Sequence, residues 1–284
     1  MKLCSFSHHG RSSFGAVVDG GVIDLAPLFP GIKTLRAFLE ADGLAKAAAA
    51  TAGVQPNFSL DEVSFEPVIT DPGKIYCVGL NYRDHVAETH SVETEKPALF
   101  ARFAGSQIGH KQPLIKPIET EMFDYEGELA VIIGKPGRRI SEADALSHVA
   151  GYACYNDGSV RNWQRHTTQF LAGKTFYGTG GFGPWMVTSD EIADVSKLSL
   201  VTRVNGEVVQ NTTTDLMINS IPSLIAYIST ILPLEVGDVI VTGTPGGVCA
   251  RRTPPLWLKH GDVVEVEISC VGCLSNTVVD EKLQ

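Results

Sequence analysis

The amino-acid sequence predicts a β-rich α+β protein in two parts: a small N-terminal α+β domain over residues 1–70 and a larger, mostly β domain over residues 71–284. Three observations lead there. An Asp19-Gly20 turn between two short apolar runs, followed by apolar residues at helical spacing, reads as a hairpin and then a helix. A Pro-rich stretch, residues 67–72, separates this part from the next. Beyond it the chain is dominated by strand-like runs closed by Gly-containing turns.

Composition narrows the partners. With 44% hydrophobic and 19% charged residues, a chain of 284 residues can bury a large core. Its net charge of −9 opposes nucleic acid or an anionic membrane surface as the main partner. Neither a signal-peptide core nor an apolar run of membrane-spanning length is present, so a cytoplasmic enzyme with reduced thiols is expected. Cys270 and Cys273 have metal or redox spacing but stand alone in an alternating run, which favours chance.

In chain order, residues 14–25 read as two strands and residues 34–50 as a helix ended near Gly53. Residues 74–79 read as a buried strand. The polar stretch after it places His85 and Glu88 three apart, on one face if the segment is helical. Such a pair is either a surface ion pair or a general base held by a carboxylate. Residues 82–96 suit a mobile lid or an exposed loop. Residues 123–133 read as a strand on which Glu126 and Glu128 point the same way. Another buried strand, residues 149–155, delivers Asp157. Three carboxylates suit Mg²⁺ and leave coordination positions for water and substrate; the alternative is two solvated glutamates.

Next, Ser159 is a candidate cap for a helix reaching His166, with Arg161 beside Gln164 and Arg165 one turn on. That helix either offers donors to an anion or is a solvated face. Lys174 stands in an apolar run, where its pKa falls or its charge is held for a substrate oxygen, unless it snorkels to water. Residues 198–209 read as two strands about a Gly206-Glu207 turn, residues 223–232 as a buried helix, and residues 235–248 as a strand ending in a Gly-rich loop with Thr244. The loop lacks the Lys and spacing of a Walker A motif. A Gly261-Asp262 turn precedes a last alternating strand.

Taken together, residues 74–88, 124–134 (D-Y-E-G-E-L-A-V-I-I-G), 156–164 (N-D-G-S-V-R-N-W-Q), Gly173-Lys174, 183–188, 243–248 and the Gly261-Asp262 strand resemble the fumarylacetoacetate hydrolase family. The resemblance implies a β-rich mixed fold, commonly a homodimer, with Mg²⁺ or Mn²⁺ held by Glu126, Glu128 and Asp157. It implies a water-activating pair, His85 and Glu88, and Lys174 beside the substrate oxygens. Tyr82, Arg161, Gln164 and Thr244 are then substrate contacts. The activity implied is hydrolysis of a C–C bond in a 2,4-dioxo acid, giving pyruvate and a carboxylic acid. Relatives decarboxylate oxaloacetate or hydrate 2-oxo-enoates. The rival classes are a metal-free Schiff-base lyase using Lys174 and a non-catalytic 2-oxo acid binding protein. The chain departs from the family pattern at Arg102, Gly127 and 249–252. Arg161, Gln164, Arg165, Thr179 and Arg251 predict a polar substrate tail.

Overall fold

The computed structural model of the protein describes residues 1–90 and 92–282. Strands dominate, as expected, and most of them lie in a 12-stranded and a five-stranded sheet. Through the centre of the larger sheet run Lys2–His8, Gly180–Thr188, Val149–Asp157, Gly127–Ile133, Val239–Val241 and Ile75–Gly79, in that order. The smaller sheet runs Glu207–Thr213, Ser199–Val204, Val263–Ile268, Gly272–Asp280 and Leu114–Lys116.

Every residue of Gly127–Ile133 and of Val149–Asp157 is buried. Because side chains alternate across a strand, the first of these feeds two cores. Leu129, Val131 and Ile133 pack with Leu224, Ile225 and Ile228 of the helix Ile221–Ile231 and with Val266 of the smaller sheet. Ala130 and Ile132 face the other way, towards Leu3, Phe14 and Phe38. A near-continuous apolar strand is what such two-sided burial requires.

Local chemistry accounts for the differences from the sequence reading. The hairpin forms as Arg11–Val18 and Gly21–Asp24, with Gly20 at φ +79° in the turn. The helix expected over 34–50 is two, Leu35–Glu40 and Leu44–Thr51, because Asp42 takes φ +54° between them. The strand expected over 123–133 is interrupted at 125–126, leaving Phe123–Asp124 and Gly127–Ile133. There the Glu126 N–H donates to the Asn156 side chain rather than to a backbone carbonyl of the neighbouring strand. Of the strand expected over 235–248 only Val239–Val241 is extended and paired.

At the Pro-rich border near residue 70 neither sheet nor core is divided. Lys2 and Leu3 pair antiparallel with Val187 and Met186, and the helix residues Leu35 and Phe38 share a core with the central strands. Among the described residues no helix is long and apolar enough to cross a membrane. Phe38→Ala removes a fully buried ring from this shared core and should cost about 3–5 kcal/mol. All three tryptophans lie after residue 70. Their fluorescence should therefore report the loss as one shifted denaturation curve; an unmoved tryptophan transition would mean that residues 1–70 unfold alone.

Candidate active site

Strand register builds the site. Gly127 pairs with Asn156 and Glu128 with Tyr155. One step on, Glu126 faces Asp157, whose N–H donates to the Glu126 carbonyl at 2.8 Å. Alternation then turns Glu126, Glu128 and Asp157 to one side, where their carboxylate oxygens lie within 4.8 Å of one another, all buried. Gly127 must be small: a Cβ there would lie 2.0 Å from Thr202 Oγ1 of the smaller sheet.

Buried like charges need compensation. Lys174 Nζ lies 2.6 Å from Glu126 Oε2 and 2.7 Å from Asp157 Oδ2. Arg161 Nη2 lies 2.6 Å from Glu126 Oε1, and Arg161 Nε donates to Asp124 Oδ2 at 2.7 Å. From behind, the fully buried Arg102 places Nη1 2.5 Å from Asp157 Oδ1. Burial alone would raise the Glu126 carboxyl, but Lys174 and Arg161 bring it down to about 2. Glu128 differs. It accepts the Gly243 N–H, and among the described residues it has no ion pair. Burial, reinforced by Asp157 and Glu126, holds its carboxyl well above the usual range. What this third carboxylate lacks is a cation, and three oxygen donors this close suit a hard divalent ion such as Mg²⁺ or Mn²⁺.

A cavity of about 370 Å³ reaches this cluster, with His85, Arg161, Gln164, Lys174 and Thr244 lining it alongside Glu126. His85 Nδ1 sits 2.7 Å from Glu88 Oε1 on the helix Arg83–Glu88. That helix is moored to the Gly-rich loop, since Asp84 and Glu88 accept the N–H groups of Gly246 and Gly247 at 3.1 and 2.8 Å. Thr244 Oγ1 donates to the Gly127 carbonyl at 3.0 Å, so the loop is also tied to the carboxylate strand. Of the lid expected over 82–96, residues 83–88 are helix, residues 92–96 are irregular chain and Ser91 lies outside the described residues.

Three sequence assignments need correction. Tyr82 does not line the cavity: its backbone bridges to Met217, and its ring is fully buried in the core beside Leu129. Thr179 is also sealed away, accepting from Arg102 Nη2 at 2.7 Å. Ser159 is a short strand residue and caps no helix; its hydroxyl donates to the Asp157 carbonyl, and the helix is only Arg161–Gln164. Arg161, though it lines the cavity, directs its fork at Asp124, Glu126 and Gln164. Sequence reasoning assigned no role to Arg102, Asp124 or Asn156, nor to Gln210, which accepts the Gly127 N–H and donates to Thr244 Oγ1 at 2.9 Å each. Arg102 carried a usable signal, since an arginine closing the apolar run Ala98-Leu99-Phe100-Ala101 must find a buried anion.

Comparison with known proteins agrees with this architecture. Residues 74–279 match the family model described as fumarylacetoacetate (FAA) hydrolase C-terminal. The human protein named oxaloacetate tautomerase FAHD2A, mitochondrial, is 42% identical over 92% of this chain and 84% of its own length. A putative HpcE protein from Mycobacterium smegmatis superposes with a TM-score of 0.89 at 32% identity, covering 99% of this chain and 100% of that one. Maleylpyruvate hydrolase from Sphingobium sp. SYK-6, solved with manganese(II) and pyruvate, superposes with a TM-score of 0.83 at 27% identity over 99% of this chain and 100% of that one.

Two outcomes follow from the charge arrangement. Mn²⁺ at a hundred times its dissociation constant should stabilise the protein by about 2.7 kcal/mol, read as a rise in melting temperature that Glu128→Gln weakens or abolishes. Arg102→Met leaves the buried Asp157 without its guanidinium and should cost about 3–5 kcal/mol in denaturant titration.

Proposed function

This chain belongs to the fumarylacetoacetate hydrolase family, and from that membership we propose that it is an enzyme moving a proton at the carbon beside the oxo group of a 2-oxo acid. The reaction is keto–enol interconversion of an oxaloacetate-like substrate. One observation carries the reading: His85, held by Glu88, stands in the wall of the same cavity as Glu126 and Lys174. The 42% identity to a protein named as an oxaloacetate tautomerase supports it.

Glu88 at Nδ1 favours the tautomer with its proton on that nitrogen, which leaves the His85 Nε2 lone pair as the base. The Gly247 N–H, donating to the other Glu88 oxygen, fixes the carboxylate in turn. In the keto-to-enol direction His85 Nε2 takes the proton from C3, and the imidazolium so formed gives it up to the C2 oxygen, directly or by way of water; in the reverse direction the oxygen loses the proton and C3 regains it. Glu126, Glu128 and Asp157 would hold a divalent ion, which supplies Lewis-acid stabilisation of the negative charge on the substrate oxygens. Lys174 serves as a fixed ammonium: burial would lower its pKa, but Asp157 and Glu126 hold it above the ordinary value. This disfavours the Schiff-base lyase, which needs a neutral amine. A mere binding protein would leave the His85–Glu88 pair without a task.

A second reading is the hydrolase expected from sequence, with His85 activating water against C4 of a 2,4-dioxo acid to release pyruvate. The likeness to maleylpyruvate hydrolase supports it. His85→Gln should lower kcat by about 10²–10⁴-fold while oxalate still binds in the presence of Mn²⁺. Tautomerisation is followed by the loss of enol absorbance of oxaloacetate, and hydrolysis by pyruvate release from acylpyruvates. An unchanged kcat in His85→Gln would sink the assignment of the base; acylpyruvate cleavage far outpacing tautomerisation would make the second reading the activity.

A further inference from the structure

The rim of the cavity carries charge that the chemistry at its floor does not use. At the floor, Glu126, Lys174 and Arg161 are 5%, 2% and 6% exposed, and both cations are paired with carboxylates. Arg165 and Arg251 line the same cavity but are exposed. They arrive from different parts of the chain. Arg165 follows the helix Arg161–Gln164, and Arg251 ends the short turn Cys249–Arg251 beyond the Gly-rich loop. Among the described residues neither guanidinium makes an ion pair, although the chain has a net charge of −9. Arg251 Nη2 donates to the Thr89 carbonyl at 3.2 Å, which leaves other N–H groups of its fork available. Val78, Phe100 and Phe170 add apolar wall to the same cavity.

We propose that Arg165 and Arg251 form a second anion subsite, which takes the distal carboxylate of a 2-oxo dicarboxylic acid. This rests on the 2-oxo acid reading of the floor and adds the other end of the substrate. A planar carboxylate satisfies two guanidinium forks and their charge together, which the hydroxyls of a neutral polar tail do not. An apolar wall suits the carbon chain between two anionic ends. Local cations at the entrance also offset the repulsion that an acidic protein exerts on an approaching dianion.

The test compares 2-oxoglutarate with 2-oxopentanoate, acids of equal chain length that differ in the distal carboxylate, by calorimetry in saturating MnCl₂. The unmodified protein should bind the diacid about five- to tenfold more tightly, as expected of two solvent-exposed charge pairs, and added salt should shrink the difference. Arg165→Gln and Arg251→Gln should each reduce the preference and the double variant should remove it, with 2-oxopentanoate affinity unchanged throughout. Equal affinity for both acids in the unmodified protein, or a preference that survives in the double variant, overturns the subsite. If neither acid binds, the 2-oxo acid reading itself falls and the subsite with it.

Discussion

Four buried carboxylates, Asp124, Glu126, Glu128 and Asp157, meet where two fully buried strands end, and the repulsion among them is the constraint the site is built around. Burying one ion costs several kcal/mol unless partners restore what water supplied. The partners come from separate elements: Arg102 from the strand Ala98–Arg102, Arg161 from the helix Arg161–Gln164 and Lys174 from the helix Leu171–Lys174. With all four ionised, these carboxylates exceed the three cations by one negative charge; it falls on Glu128, whose raised carboxyl favours the neutral form until a further cation is present. A divalent ion would turn that deficit into a single positive charge, which one substrate carboxylate neutralises.

The Gly-rich loop after Val239–Val241 ties this electrostatic centre to the His85–Glu88 pair. Its Gly243 N–H goes to Glu128, its Thr244 hydroxyl to the Gly127 carbonyl, and its Gly246 and Gly247 N–H groups to Asp84 and Glu88. Gly247 has φ +102°, and a Cβ there would lie 2.2 Å from the Val209 carbonyl oxygen, so backbone alone must make the Glu88 contact. One short irregular segment thus sets the spacing between the carboxylate cluster and the imidazole.

Much of this was legible in the sequence because it follows from strand periodicity. Glu126 and Glu128 two apart, with Asp157 at the end of an apolar run, need only one antiparallel pairing to converge, and that pairing is present. His85 and Glu88 needed only a single helical turn. The illegible part depends on contacts between elements distant in the chain. The family resemblance implied Tyr82 as a substrate contact, but its backbone bridges to Met217 and its ring lies in the core. The first 70 residues carry their own hairpin and helices, yet pairing with Val187 and Met186 merges them into the large sheet, which no local pattern announces. Gly127 looks anomalous until Thr202 of the other sheet is seen lying against it.

The floor of the cavity and its rim differ in the backbone that carries them. Glu126 and Asp157 are buried at the end of the paired strands, the Asp157 N–H donating to the Glu126 carbonyl, and both are held by buried cations, so almost any replacement there disturbs stability. Arg165 and Arg251 stand on exposed, irregular chain, where substitutions usually change stability by less than about 0.5 kcal/mol. The molecule is therefore divided into a part that cannot drift and a part that can. Single changes at the rim leave the fold, the carboxylate cluster and the His85–Glu88 pair intact, which makes this scaffold a favourable starting point for altering the cavity entrance by directed mutation.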